Sequence, residues 1–327
     1  MSLLEVRDLN VWFDLPAGGR QHAVRGLSFD ADAGDRIGLV GESGCGKTTT
    51  ILALLGLLPP SATVAGTVRF DGVDLVSQGE RSVLPRRWKD IAMVFQGAMN
   101  ALNPVQTVES QIIEPMVLHG TDRGAAAKSR ARELLEMVGI PGAAGSRYPH
   151  ELSGGMRQRA ALAMALACRP KVLLADEPTT ALDVMVQAQI LQLLTGLADD
   201  LGLTLILVTH DLPVVAQVCD RAVVMYAGEI AEDATTDELF HSPRHPYTRL
   251  LFAATPDLYG RDEVVSIPGA PPRLDREPVG CVFRERCDRA FARCTTEAPA
   301  LLDLGDGRRA ACHLNDPAGA GQQEAAV

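Results

Sequence analysis

No stretch of this sequence stays apolar long enough to cross a membrane. The best run, Ile51-Leu52-Ala53-Leu54-Leu55-Gly56-Leu57-Leu58, falls well short of a span of about 20 residues. Dense runs of Lys and Arg are also missing, and the net charge is −10, which argues against nucleic acid as a partner. The first residues, Met1-Ser2-Leu3-Leu4-Glu5-Val6-Arg7-Asp8, lack the basic and apolar segments of a signal peptide. The expectation is a cytosolic chain whose membrane role, if it has one, is peripheral and exercised through partners. No internal repeat is present. Among the seven cysteines no Cys-x-x-Cys pair occurs, so a zinc ribbon is disfavoured. In the cytosol these cysteines are expected as thiols or metal ligands rather than disulfides.

What is present points to an α/β protein with one large domain and a smaller one. Leu4, Val6, Leu9 and Val11, then Val24, Leu27 and Phe29, alternate as strands with one buried face. Arg36–Val40 reads as a buried strand and Thr48–Leu58 as a helix, with Pro59-Pro60 beyond it. Gly66–Phe70 reads as a strand followed by an Asp71-Gly72 turn, and Ile91–Phe95 as a buried strand. From about 97 to 165 strand patterns vanish. Thr107–Leu118, Ala125–Val138 and Ser153–Ala167 have helical spacing, as in a helical insertion. Strand and helix then alternate: Lys171–Asp176, Val184–Leu201, Leu203–Thr209, Ala222–Tyr226 and Glu229–Ile230. That alternation predicts a parallel sheet with helices on its faces. Past about 255 the periodicity weakens, four cysteines crowd together, and a tail from about 316 is expected to be disordered.

The chemistry starts at Gly41-Glu42-Ser43-Gly44-Cys45-Gly46-Lys47-Thr48, which fits G-x-x-x-x-G-K-[ST] between a strand and a helix. In such a loop glycines let backbone N–H groups turn inward around phosphates, and the helix start adds partial positive charge. Lys47 would reach the β- and γ-phosphates, and the Thr48 hydroxyl would hold Mg²⁺. Cys45, beside Lys47 and a helix start, sits where thiol pKa values fall. A variable position that tolerates a small side chain is the preferred reading of it. Alkylation at Cys45 that blocks ATP binding, with ATP protecting, is still expected. Asp176 ends an apolar strand and can orient the metal's water shell, while Glu177 can polarise an attacking water. Leu152-Ser153-Gly154-Gly155 begins a helix with Ser153 as N-cap and bare amides, a second anion site. One nucleotide rarely needs two such sites, so this helix end is expected to serve the nucleotide of a partner subunit.

Gly41 to Thr48, Gln96, Leu152–Gly155, Asp176-Glu177, Ala181-Leu182-Asp183 and His210, in that order, resemble the motif set of an ABC transporter ATP-binding subunit over roughly residues 1 to 255. The resemblance implies a P-loop NTPase core with an antiparallel β subdomain and a helical subdomain at about 97–165. It implies catalytic roles for Glu177, His210 and Gln96. Phe13 would stack on adenine, although Trp12 adjoins it, and Thr49 would join the phosphate contacts. Thr48, Gln96 and Asp176 would hold Mg²⁺. Ser153, Gly154 and Gly155 would meet the opposing subunit's ATP, and Asp183 would couple the two sites. Met156 stands where many relatives have Gln, while Arg157-Gln158-Arg159 is intact.

Two further stretches narrow the resemblance: Arg244–Leu251, and Gly280–Cys287 with Cys294, Pro299 and Ala311-Cys312-His313. With Phe95–Pro104 they resemble the oligopeptide, dipeptide and nickel importer ATPases, closest to the D-type that pairs with an F-type ATPase. Residues 256–327 would be that group's C-terminal extension. His245-Pro246-Tyr247 is expected to start and pack a helix. Four thiols in a short irregular segment (Cys281, Cys287, Cys294, Cys312) suit a [4Fe–4S] cluster, which the resemblance also implies. Zinc, unliganded thiols and disulfides are the alternatives. The implied partners are two transmembrane permeases, a second related ATPase subunit and an extracytoplasmic substrate-binding protein, with the chain peripheral on the cytoplasmic face of the inner membrane. Nickel, glutathione or oligosaccharide cargo is the nearer alternative. A soluble non-transport ABC ATPase and a redox-sensing regulator are the more distant ones.

Overall fold

The computed structural model describes residues 2–16, 18–76, 79–97, 101–180, 182–254, 267–272 and 277–316. Ala98, Met99, Asn100, Ala181, the expected boundary at 255/256 and the tail beyond Asp316 lie outside those residues. The chain forms two compact units. One is built around residues 78–208. The other gathers 3–30, 37–77 and 209 onward.

The second of these begins with β1 (Leu4–Asp14), β2 (Arg20–Ala31), β3 (Arg36–Val40), α1 (Lys47–Leu54), β4 (Ala62–Phe70) and β5 (Val73–Asp74). Strands β2-β1-β4-β5 form one sheet, with β1 and β4 antiparallel. Leu4, Val6, Leu9 and Val11 supply its buried face, as alternation predicts. Helix α1 ends earlier than expected. Gly56, at φ 57°, turns left-handed, and the Leu57 N–H returns to the Leu52 carbonyl at 2.9 Å. This is a Schellman stop, so the chain leaves the helix before Pro59-Pro60 is reached.

The other unit holds α2 (Glu80–Val83), β6 (Ile91–Val94), α3 (Val108–His119), α4 (Gly124–Met137), α5 (Gly154–Ala165), β7 (Val172–Asp176), α6 (Val184–Leu201) and β8 (Thr204–Thr209). Strands β6, β7 and β8 are parallel neighbours. Every residue of β7 and β8 is buried, the pattern of strands covered on both faces. Helices α3, α4 and α5 contact one another, as expected for the helical insertion.

The chain then returns with α7 (Leu212–Val218), β9 (Arg221–Tyr226), β10 (Glu229–Thr235), α8 (Thr236–His241), α9 (Pro246–Ala253), α10 (Arg293–Thr296), β11 (Leu302–Asp303) and β12 (Arg309–Ala310). Strand β9 runs parallel to β3, and β10 pairs antiparallel with both β9 and β12. Strand β10 runs five residues past its expected end. Glu232 and Asp233, both fully buried, interrupt the apolar pattern there. Arg308 pairs with Glu232, and Arg221 and Arg309 pair with Asp233. His245 caps α9 by accepting the Tyr247 N–H at 3.0 Å, the packing role the sequence suggests. Burial holds its imidazole down to about 4, and so neutral, against a backbone hydrogen bond with Ala311 that acts the other way.

Candidate functional site

Residues 41–46 form the predicted loop between β3 and α1, and Lys47 and Thr48 open the helix. Gly41 is obligatory here: at φ 147° a side chain would place its Cβ 2.2 Å from the Met225 carbonyl oxygen. Gly46 is the N-cap of α1 and makes no side-chain cap hydrogen bond. Lys47 is buried, and its amine donates to the Gly41 carbonyl at 2.6 Å and the Glu42 carbonyl at 3.0 Å. The amine is thus folded back on the loop. Thr48 is exposed and Thr49 half-buried, both on the first turn of α1.

Cys45 departs from expectation. Lys47 and the helix start do act to lower its pKa, but burial is the larger effect and raises it. The thiol is 2% exposed, because the loop packs down around it. Burial fits the preferred reading of Cys45 as a position that takes a small side chain, and it works against the expected alkylation.

Asp176 ends β7 as a carboxylate 2% exposed. Glu177 follows with φ 44°, a left-handed conformation that a non-glycine residue adopts only under constraint. Its N–H donates to the Val208 carbonyl at 2.9 Å, which fixes that turn. The Glu177 carboxylate is then aimed by two donors on one oxygen: Gln96 Nε2 at 2.8 Å and Thr180 Oγ1 at 3.0 Å. The sequence brought forward Gln96 and passed over Thr180. A hydroxyl three residues past the glutamate, after a proline turn, was the available signal.

Ser153 caps α5, accepting the Met156 N–H at 3.3 Å. Gly155 has a steric reason: a Cβ there would lie 2.8 Å from Val186 on α6. Gln158, buried, donates to the Pro178 carbonyl at 2.6 Å and fastens α5 to the segment behind Glu177. Asp183 caps α6 through the Val186 N–H at 3.0 Å. Next to it Val184 and Met185 are 80% and 71% exposed. His210 is exposed immediately after β8. Phe13 and Trp12 are both half-buried on β1, and the Trp12 ring stacks on His22 with centroids 4.5 Å apart.

In the C-terminal segment Cys281, Cys287, Cys294 and Cys312 line a single narrow cavity. All four are free thiols. Burial pushes Cys281 up to about 12 and Cys312 up to about 11, and raises Cys287 as well. Each of these three also feels the charges of its cysteine neighbours. No three His, Cys, Asp or Glu side chains among the described residues gather as ligands of one ion would. A second feature of this segment escaped the sequence reading. Arg286, beside Cys287, forks onto the Glu42 carboxylate of the P-loop at 2.6 and 2.8 Å. The partners are 244 residues apart, and no motif or spacing joins them.

Comparison with known proteins agrees with this geometry. The family described as ABC transporter matches residues 24–180, and the oligopeptide/dipeptide transporter C-terminal region matches 231–294. A probable peptide ABC transporter ATP-binding protein of Sinorhizobium fredii is 47% identical over 95% of this chain and 94% of its own length. The oligopeptide transport ATP-binding protein OppD of Bacillus subtilis is 46% identical, covering 93% of this chain and 86% of its own. The dipeptide transport ATP-binding protein DppD of Escherichia coli is 44% identical over 96% of this chain and 97% of its own. Among solved structures, the ATP-binding cassette MJ0796, a dimer in a post-hydrolysis state bound to ADP and Pi, aligns with a TM-score of 0.63. It is 28% identical and covers 71% of this chain and 98% of its own. From the P-loop to the cysteine-bearing segment, this chain belongs to the ABC transporter ATP-binding proteins, in the oligopeptide/dipeptide transporter group.

Proposed function

We propose that this ABC ATPase powers the import of di- or oligopeptides through a membrane transporter. The observation that carries the reading is that likeness to peptide transporter ATP-binding proteins runs through both the cassette and the C-terminal extension. In this reading Lys47 leaves the loop carbonyls to bind the ATP phosphates, and the α1 amides take up the remaining charge. Glu177, aimed by Gln96 and Thr180, accepts a proton from the attacking water. His210 steadies the γ-phosphate and Phe13 stacks on adenine. Oxygen donors at Thr48, Gln96 and Asp176 suit Mg²⁺, which would neutralise phosphate charge.

The Ser153–Gly155 helix end would meet ATP held by a second ATPase subunit. The exposed Val184 and Met185 beside Asp183 support a partner covering this surface. That partner would be a related ATPase, in a complex with two permeases and an extracytoplasmic binding protein. No helix among the described residues is long and apolar enough to cross a membrane. The chain associates peripherally, and we assign it to the cytoplasmic face of the inner membrane. A groove of about 620 Å³, lined by Pro115, Leu118 and Met164 of the helical subdomain and by Leu84 and Trp88 just before it, supports docking of a permease helix there. The cassette would end near residue 255 and the extension would begin there.

For the four thiols we propose a [4Fe–4S] cluster, with zinc as the alternative. They share one cavity in a segment with little apolar periodicity, where a cluster would act as a structural staple. Iron and acid-labile sulfide assays after anaerobic purification test this, and zinc alone would overturn it. The function is tested by uptake in a deletion strain. Loss of labelled peptide uptake, restored by the wild-type gene and not by Glu177→Gln, is expected. Intact peptide uptake with lost nickel, glutathione or oligosaccharide uptake would contradict the cargo and keep the mechanism.

A further inference from the structure

Position 42 of the P-loop is gripped from three directions, and two grips come from beyond residue 245. Its N–H donates to the Tyr247 hydroxyl at 2.9 Å. Its carbonyl receives Lys47 at 3.0 Å. Its carboxylate receives both Nη atoms of Arg286, at 2.6 and 2.8 Å. Arg286 is itself fixed. Its Nε donates to the Pro268 carbonyl at 2.8 Å, and Nη1 also reaches the Tyr226 hydroxyl at 3.2 Å. The guanidinium lies over the Tyr226 and Phe283 rings, at 5.7 and 6.0 Å from their centroids. The Arg286 side chain is 4% exposed and that of Glu42 25%.

Removing such a pair from water costs about what the attraction returns, so stability is a weak reason for it. Nor is it needed to attach the extension, which has anchors elsewhere: β12 on β10, Arg308 on Glu232 and Arg309 on Asp233. What the fork supplies is geometry and charge cancellation. A bare carboxylate in a phosphate-binding loop would repel the triphosphate. Shifting residue 42 would also move the carbonyl that Lys47 must leave.

We propose that Arg286 is a positioning residue for ATP binding: the cysteine-bearing segment reaches into the P-loop and holds Glu42 neutralised and in place for the phosphates. This rests on the P-loop being the ATP site. Whatever holds the four thiols in place then also holds Arg286, because Cys287 is the next residue.

The test is MgATP affinity of the full chain by fluorescent-nucleotide displacement, with melting temperature measured alongside. Arg286→Gln is expected to weaken binding about tenfold, the 1.4 kcal/mol of one charge-assisted contact. Glu42→Gln in that background removes the uncovered charge and is expected to restore affinity to within about threefold of wild type, a strongly non-additive cycle. Wild-type affinity in Arg286→Gln, a double variant as weak as Arg286→Gln, or losses that follow melting temperature would each overturn the proposal. Should Arg286→Gln not fold, Arg286→Lys decides, since it keeps the charge and gives up the fork. A loss of about three- to tenfold supports the positioning role, and unchanged binding overturns it. Wild-type protein that fails to bind MgATP would instead refute the ATP-site reading.

Discussion

The cassette strands and the C-terminal extension are held together by different forces. Strands β3, β7 and β8 are rich in Ile, Leu and Val and have almost no exposed surface. Their stability comes from area removed from water, at about 25 cal/mol per Å². The extension buries few large apolar side chains, Phe283 being the largest. It is fastened by directional pairs instead: Arg308 to Glu232 and Arg309 to Asp233. A core built on area tolerates a changed methyl group better than a region built on a few ions tolerates a lost charge.

The largest effect should fall on chemistry alone. Glu177→Gln leaves every strand in place and should cut the ATPase rate by about 10²- to 10⁴-fold, the span of general-base catalysis. Steady-state phosphate release checks the rate, and nucleotide displacement checks that ATP still binds. Next comes the contrast in stability. Arg308→Ala leaves the fully buried Glu232 carboxylate with only the Arg244 and His245 N–H donors, which should cost about 3 kcal/mol, the low end for a broken buried pair. Leu207→Ala in β8 should cost a comparable amount, about 2–5 kcal/mol, through its cavity. Urea unfolding read by intrinsic fluorescence, with limited proteolysis of the extension, separates the two. Arg308→Ala should free the extension to protease before global unfolding, and Leu207→Ala should not.

The two regions were also unequally legible. The P-loop, Asp176-Glu177 and the Ser153 cap could be read because their chemistry needs neighbours in sequence: a strand, a turn and a helix start. The helical insertion was legible for the same reason, by its spacing. Strand β10 was read two residues long because Glu232 and Asp233 look like surface residues until Arg221, Arg308 and Arg309 are found beside them. Arg286 was invisible because its partner is 244 residues away. For Cys45 the neighbours in sequence disclose charge but not burial, and burial is the larger effect on its pKa.

The smallest effect follows from that burial. With its thiol buried and its pKa raised, Cys45 should react with iodoacetamide at neutral pH far more slowly than a model thiol, and brief treatment should leave ATP binding unchanged. Mass spectrometry of the tryptic peptide measures this. Rapid labelling that ATP prevents would restore the original expectation.

The central claim is that this chain carries half of each ATP site it works in. Its most direct test is the ATPase rate per chain, measured against concentration and then with the partner ATPase and permeases added. The account predicts that the isolated, dilute chain binds MgATP fully yet turns it over slowly, with the rate rising as partner is supplied. Full turnover by the dilute monomer, independent of concentration, would contradict it.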